Sequence, residues 1–204
     1  MQNSSRQVLF TVGHSTRSLG EFVSLLWKND VTAVVDVRSK PSSRLQQFCQ
    51  AELSSHLREC AIQYVFLGKE LGARRVEQSC YVGGQARYDR IRELPLFRSG
   101  MDRVCRGLEG YRIALLCAER DPITCHRMIL VSRELRGLDI EIRHIINQDT
   151  VESNAQAERR LLKAVGIAER DLFVPVDDLI ERAYDLQADR IAYASQDMRA
   201  EGTE

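Results

Sequence analysis

Five short strand-like segments, separated by segments with helical patterning, constrain the fold of this chain more than any other feature. They cover residues 8–12, 31–37, 63–67, 112–117 and 141–146. The second run is rich in β-branched residues, which is typical of a strand in a parallel sheet covered on both faces. Strands that alternate with helices predict an α/β fold. We therefore expect a doubly wound, mostly parallel five-stranded sheet with helices on both faces.

Capping residues mark several helix boundaries. Ser18 and Glu21 have the spacing of a capping box. Asp121 and Pro122 predict a second helix start, and Gly137 is a suitable residue to end that helix. We expect residues 1–150 to form an α/β domain that carries the site. We expect residues 151–204 to form a helical C-terminal extension packed on the same domain.

Residues 68–88 interrupt the alternation of strands and helices. Four glycines punctuate this stretch, and long irregular segments in compact domains are usually functional or disordered. The segment also carries several cations: Lys69, Arg74, Arg75 and Arg87. We therefore interpret it as a lid over the site.

The charge of the chain limits the classes of partner. The 204 residues include 29 basic and 29 acidic side chains, so the net charge is zero. Residues 149–204 hold 13 acidic and 7 basic residues, which leaves the remainder of the chain at +6. This distribution suits an anionic small molecule or a nucleotide, and it is far from the basic footprint of a dedicated DNA-binding domain. Nucleic acid stays a possible partner that the net charge does not indicate.

No apolar run approaches the length of a membrane span, and the first residues show no signal peptide. We therefore expect a cytoplasmic protein without a membrane partner. The six cysteines are then expected to be free thiols. Four of them, Cys49, Cys60, Cys80 and Cys105, are interpreted as small core residues. The sequence does not indicate the oligomeric state.

Polar side chains crowd the ends of three predicted strands. In open α/β sheets, ligands bind beyond the carboxyl ends of the strands. The residues that follow the first, second and fourth strands are therefore the candidates for the site: His14, Ser15, Asp36, Arg38, Ser43, Arg44, Cys117, Glu119, Cys125, His126 and Arg127.

Cys117 and Cys125 are the candidate reactive groups. Cys117 ends a buried strand, and the helix predicted to follow would direct its N-terminal N–H groups towards a thiolate there. Cys125 lies in the first turn of the same predicted helix, and His126 and Arg127 add positive charge. Two alternatives stay open. The cysteines can be buried packing residues, or the same arrangement can bind an anion without using sulfur as a nucleophile.

The charged candidates also have two interpretations each. Asp36 and Arg38 point to the same side of a strand, where they can pair with each other. Alternatively, Asp36 orients a ligand hydroxyl or His14 while Arg38 binds a phosphate or carboxylate. Glu119 is either a general base or a structural charge near the start of the predicted helix.

The sequence does not predict a cofactor. Cys117, Cys125, His126 and His14 could surround a zinc ion, but the Cys-x7-Cys-His spacing differs from that of known zinc modules. We therefore assign no metal ligands. The glycine-rich stretch of residues 68–84 matches neither a P-loop nor a dinucleotide fingerprint.

Several motifs together resemble the family called domain of unknown function 488. They are the segment of residues 11–16, Asp36-Val37-Arg38 with the following Pro41-x-Ser43-Arg44, Tyr64 before Leu71-Gly72, Tyr88, and the segments of residues 117–119 and 125–127. The resemblance implies an α/β fold and, through some similar sequences, a possible connection to DNA repair. It also implies that Tyr88 belongs with the candidates above in one site.

A second resemblance is to rhodanese-like domains, which also have a strand that ends in Asp-Val-Arg and a later strand that ends in cysteine. That resemblance implies a role for Cys117 in sulfur or phosphoryl transfer. However, residues 118–124 contain no glycine that would let the loop curl around an anion.

These observations predict an enzyme that acts on a phosphate-bearing substrate such as a nucleotide or a nucleic-acid component, with a cysteine-dependent transferase or hydrolase as the candidate reaction class. We assign catalytic roles to Cys117, Glu119, Cys125 and His126, and ligand binding to the other candidates and Tyr88. The alternatives are a non-catalytic module that binds a phospho-ligand or a nucleic-acid end, a rhodanese-like transferase, and a metal-dependent hydrolase.

Overall fold

The computed structural model describes residues 6–194 of the chain. Its main sheet has six strands: β1 Gln7–Gly13, β2 Ala33–Asp36, β3 Gln63–Phe66, β6 Ile113–Cys117, β7 Ile140–Ile145 and β8 Val151–Ser153. The strand order is β3-β2-β6-β1-β7-β8. All neighbours pair in parallel except β7 and β8, which are antiparallel. The predicted α/β class and mostly parallel sheet are therefore confirmed.

The sheet has one strand more than the five predicted. The additional strand, β8, has only three residues and no apolar run to signal it. It follows a tight turn in which the N–H of Ile146 donates to the carbonyl of Thr150 at 3.0 Å. The turn reverses the chain, and β8 then pairs along the free edge of β7.

Helices cover both faces of the sheet, as predicted. They are α1 Leu19–Lys28, α2 Gln50–Glu59, α3 Gly68–Leu71, α4 Tyr88–Glu93, α5 Pro95–Leu108, α6 Asn154–Val165 and α7 Val176–Ile191. Buried residues of α1 and α2 form one core with Phe10 and Val12. The opposite core contains Leu9 and buried residues of α3 to α7. Successive residues of β1 thus point to opposite cores.

The capping box at Ser18 and Glu21 is present and starts α1. The predicted continuous helix from Asp121 to Gly137 is wrong. Asp121 does cap a first turn, but that turn is a 3₁₀ helix of only three residues, Pro122–Thr124. Cys125 then adopts an extended backbone, which ends the turn.

A π-helical turn, Arg127–Val131, follows and leads into a second 3₁₀ helix, Ser132–Leu135. Ser132 Oγ donates to the carbonyl of Arg127 at 2.8 Å, so this carbonyl of the irregular turn has a hydrogen-bond donor. Because no α-helix starts here, the expected helix-dipole field on Cys117 has no structural basis.

The predicted lid segment is partly ordered secondary structure. It contains α3 and a two-stranded hairpin, β4 Tyr81–Val82 and β5 Gln85–Ala86. The two glycines of the hairpin turn, Gly83 and Gly84, have positive φ angles of 55° and 76°, which other residues adopt at a cost. The segment then runs into α4 at Tyr88.

The C-terminal part is helical, as predicted, with α6 and α7 packed on the same core as α5. Gln187 of α7 donates from Nε2 to the carbonyl of Ile123 at 2.7 Å, which ties α7 to the segment after β6. The division of the chain at residue 150 stays a prediction. None of the helices between residues 6 and 194 has the length and hydropathy needed to span a membrane.

Candidate functional site

A cavity of about 390 Å³ lies beyond the carboxyl ends of β2 and β6. These two strands are neighbours in the sheet, so the segments that follow them meet at one edge. The cavity is lined by Arg38, Ser39, Lys40, Ser42, Ala73, Arg74, Tyr88, Cys117, Ala118, Glu119, Thr124, Cys125, His126, Ile191 and Tyr193. Six predicted site residues are therefore brought together: Arg38, Tyr88, Cys117, Glu119, Cys125 and His126.

Two thiols and one carboxylate form the centre of the site. Cys117 Sγ and Cys125 Sγ each lie 3.0 Å from Glu119 Oε2. Both cysteines are almost fully buried, with 3% and 1% of their surface exposed. Each of the two short contacts requires a proton between sulfur and oxygen, so the three acidic groups share their protons.

His126 completes this group. Its Nδ1 lies 3.6 Å from Cys117 Sγ, and its Nε2 lies 2.9 Å from the carbonyl oxygen of Val37. A carbonyl oxygen only accepts hydrogen bonds, so Nε2 carries a proton and donates it. In the neutral ring, Nδ1 then has its lone pair directed towards the sulfur.

The neighbours of the two thiols move their pKa values in opposite directions. The hydrogen bond to Cys125, together with burial, raises the pKa of Cys117 well above that of an ordinary thiol. Burial also acts to raise the pKa of Cys125, but the hydrogen bond from Cys117 and the nearby charge of Arg127 hold it well below the usual value.

Arg127 is placed behind the site and does not line the cavity. It is fully buried, and its NH1 and NH2 groups donate to the carbonyls of Glu119 and Arg120 at 2.6 and 2.9 Å. It therefore contacts the backbone of Glu119 and not the carboxylate. The guanidinium fixes the loop that carries Glu119.

A buried chain of hydrogen bonds continues from Arg127 into the core. Arg127 Nε donates to Thr11 Oγ1 at 3.3 Å, and Thr11 Oγ1 lies 2.8 Å from His144 Nδ1. His144 Nε2 lies 3.1 Å from Asn154 Oδ1. Burial, followed by the charge of Arg127, lowers the pKa of His144 to about 3. His144 is therefore neutral, with Nδ1 accepting and Nε2 donating.

Asp36 and Arg38 pair with each other, which is one of the two arrangements expected for them. Arg38 Nε and NH2 lie 2.9 and 2.6 Å from the two carboxylate oxygens of Asp36, and NH1 donates to the carbonyl of Phe48 at 2.9 Å. Tyr64 also donates to Asp36, at 2.7 Å. Arg38 thus lines the cavity as a rigid cation, while Asp36 lies beneath it, fully buried.

His14 and Ser15 support the loop of Cys117 through their backbone. Their N–H groups donate to the carbonyls of Cys117 and Ala118 at 3.0 and 2.8 Å. The His14 ring stacks on Phe48 with 4.4 Å between ring centroids. Neither side chain lines the cavity. His14 Nε2 is buried and has no hydrogen-bond partner among the described residues.

Ser43 and Arg44 also lie outside the cavity. Ser43 Oγ accepts a hydrogen bond from the N–H of Leu45, which closes a local turn. Arg44 is exposed. In the predicted lid, Arg75 and Arg87 pair with carboxylates away from the cavity, and Arg74 is the cation of this segment that lines it.

Sequence reasoning missed several lining residues, above all Lys40 and Tyr193, and it named Arg74 only as a cation of the predicted lid. Arg74 lies over the Tyr193 ring, with its guanidinium carbon 4.6 Å from the centroid, and its N–H donates to Ser39 Oγ at 2.9 Å. Arg74 and Tyr193 come from segments far apart in the chain, so no local pattern connects them. Ser39 and Lys40 directly follow Arg38, and their position after a strand was the available signal.

One group of residues could hold a metal ion. The two sulfurs of Cys117 and Cys125 and one ring nitrogen of His126 all lie within 4.8 Å of one another. His14, which the sequence placed in the same candidate set, is not part of this group. Glu119 Oε2 lies 3.0 Å from both sulfurs, so its carboxylate is also close to this group.

The sequence model of the family described as Domain of unknown function DUF488 matches residues 18–133, which is more than half of the chain. No curated protein and no solved structure matches the chain. These comparisons do not show the resemblance to rhodanese-like domains. The matched range includes Asp36, Arg38 and the whole segment from Cys117 to Arg127. The chain therefore belongs to the DUF488 family, as its motifs indicated.

Proposed function

We propose that the chain is an enzyme that acts on a phosphate-bearing substrate, such as a nucleotide or a nucleic-acid component, in the cavity beyond β2 and β6. One observation carries the proposal. Several cations line the cavity together with the cluster of Cys117, Cys125, Glu119 and His126. A phosphate bound by the cations would hold the rest of the substrate against groups that can transfer protons.

The cations that line the cavity are suited to binding an anion. Lys40 and Arg74 line the cavity, and neither pairs with a carboxylate among residues 6–194. Arg38 adds a third cation, which Asp36 partly neutralises. The cavity volume of about 390 Å³ falls within the range of small-molecule sites. Charge and size thus support a phosphate-bearing small molecule or the end of a longer chain.

Two further lining residues are a candidate general base and a candidate hydrogen-bond donor. Glu119 is exposed to the cavity while its Oε2 atom stays close to both sulfurs. Tyr88 also lines the cavity, and burial together with the negative charge nearby raises the pKa of its hydroxyl above the usual value. The hydroxyl stays protonated at neutral pH and can donate to a substrate oxygen.

The proposal is tested by combining a binding assay with a product assay. The protein is mixed with nucleoside mono-, di- and triphosphates and with short single-stranded oligonucleotides, and the melting temperature and the products are measured. We expect one class of these compounds to raise the melting temperature. Arg74→Ala should weaken that binding by roughly tenfold or more, because a hydrogen bond to a charged group is lost. The control Arg87→Ala, which removes a cation outside the cavity, should bind normally.

The product assay separates an enzyme from a binding module. Glu119→Gln should retain the melting-temperature shift and lose product formation. A shift without any product in the native protein would support the non-catalytic alternative. Failure of every phosphate-bearing compound to shift the melting temperature would contradict the proposal.

A further inference from the structure

We propose that Cys117, Cys125 and His126 bind one Zn²⁺ ion at the floor of the cavity. The binding of the ion stands on the geometry of these three residues alone. Its role in a reaction rests on the proposed function. From the sequence, Cys117, Cys125, His126 and His14 could surround a zinc ion, but we assigned no metal ligands, because the Cys-x7-Cys-His spacing differs from that of the familiar zinc modules.

The distances between the three donor atoms fit a zinc ion. Cys117 Sγ and His126 Nδ1 are 3.6 Å apart, and all three donors lie within 4.8 Å of one another. Zn–S bonds of about 2.3 Å and Zn–N bonds of about 2.0 Å at tetrahedral angles place sulfur and nitrogen about 3.5 Å apart. An ion can therefore bind between the three donors with small side-chain movements.

The imidazole is oriented as a ligand. His126 Nε2 donates to the Val37 carbonyl at 2.9 Å, so Nδ1 is the nitrogen that faces Cys117 Sγ and, once the ring is neutral, offers its lone pair to an ion. A hydrogen bond from the second ring nitrogen to a carbonyl is the usual support of a zinc-bound histidine, because it fixes both the tautomer and the ring orientation. Val37 belongs to the segment after β2, so the two strand ends that form the cavity also hold the ligand in place.

Charge also favours a divalent cation. When hydrated Zn²⁺ binds, two Zn–S bonds and one Zn–N bond replace bonds to water, and each thiol or imidazolium that is still protonated releases its proton to solvent. Two thiolates, a neutral imidazole and Zn²⁺ sum to zero charge. A neutral centre suits the buried position of both cysteines.

Three protein ligands leave one coordination position on the cavity side. Three ligands plus an open position are typical of catalytic zinc, whereas structural sites are closed by four. Glu119 Oε2, 3.0 Å from both sulfurs, lies where a fourth ligand or a general base would be. In the proposed enzyme the ion would supply a Lewis acid next to the bound phosphate-bearing substrate.

The experiment uses the full chain without a polyhistidine tag. The protein is stripped with a chelator, dialysed against zinc, freed of excess metal, and analysed for zinc by mass spectrometry. We expect about one zinc ion per chain in the native protein and a loss of at least fivefold in Cys117→Ser and in Cys125→Ser. Cys105→Ser, which changes a half-buried cysteine of α5 outside the cavity, is the control and should retain the ion.

Cobalt substitution provides a second measurement that needs no variant. Co²⁺ added to the native chain should give the intense visible bands of a tetrahedral site and a thiolate charge-transfer band. Zinc below half an equivalent in the native protein, equal zinc in both cysteine variants and the control, or a spectrum typical of octahedral Co²⁺ would overturn the proposal. Bound zinc without any nucleotide effect would instead count against the proposed function and leave the metal site intact.

Discussion

Gly13 at the end of β1 lies against the backbone of Glu119. A Cβ atom on Gly13 would be only 1.8 Å from the Glu119 carbonyl oxygen and 2.6 Å from its carbonyl carbon. The first strand and the segment after β6 can approach this closely only because residue 13 has no side chain. The position of Glu119 in the cavity therefore depends on the glycine at the end of β1.

Gly13→Ala should displace the Glu119 loop. The added methyl group cannot be accommodated against backbone atoms, so we expect a destabilisation of about 1–3 kcal/mol and a weakened zinc and phosphate site. Urea unfolding and zinc titration measure the two effects. Gly20→Ala is the matched control, because a Cβ at Gly20 meets no atom within 4 Å. If Gly13→Ala were as stable as Gly20→Ala and bound zinc equally well, the position of Glu119 would not depend on Gly13.

Arg127→Met should destabilise the protein strongly. The substitution keeps a long apolar side chain but leaves the buried carbonyls of Glu119 and Arg120 without their donors. Each unsatisfied buried group costs about 1–3 kcal/mol, so we expect a total of roughly 3 kcal/mol or more by urea unfolding. Arg98→Met removes an exposed arginine paired with Glu93 and should change stability by less than about 0.5 kcal/mol. Equal effects of the two substitutions would exclude the supporting role of Arg127.

His144 should make the stability of the protein depend on pH. Its pKa is about 3 in the folded protein and 6.5 for an ordinary histidine, so the unfolded chain takes up a proton first as the pH falls. Stability is thus fully present above pH 6.5 and declines between pH 6.5 and 3, by at most about 1.4 kcal/mol per pH unit. We expect the free energy of unfolding, measured across this pH range, to decline less steeply in His144→Gln than in the native protein.

His56→Gln provides the comparison for this pH effect, because His56 is partly exposed on α2 and pairs with Glu59. Its pH profile should follow that of the native protein. If His144→Gln also kept the pH profile of the native protein, the assignment of His144 as a neutral, hydrogen-bonded residue of the folded state would be wrong.

The sequence predicted most of the fold because each of the five parallel strands lies in a segment with strand-like patterning. The strand β8 was missed since three residues, Val151–Ser153, are too short to show a pattern. The helix expected from Asp121 failed for a different reason. The capping signals at Asp121 and Pro122 are local and correct, but the extended Cys125 backbone that ends the turn depends on tertiary contacts.

The site was predictable to the extent that it follows strand ends. That rule brought Arg38, Cys117 and Glu119 together correctly. It could not show that Arg127 turns inward, because a sequence does not reveal whether a long polar side chain serves a ligand or a buried carbonyl. It also could not find Tyr193, which follows α7 and is placed by tertiary contacts such as the hydrogen bond from the N–H of Ala86 to its carbonyl.

The most direct test of the central claim is a crystal structure of the protein grown with the phosphate compound that raises its melting temperature most. The account predicts that the phosphate group lies between the Arg38–Lys40 segment and the Cys117–Glu119 segment, within hydrogen-bonding distance of Arg74 or Lys40. A phosphate bound elsewhere on the protein, with no ligand between these two segments, would contradict it.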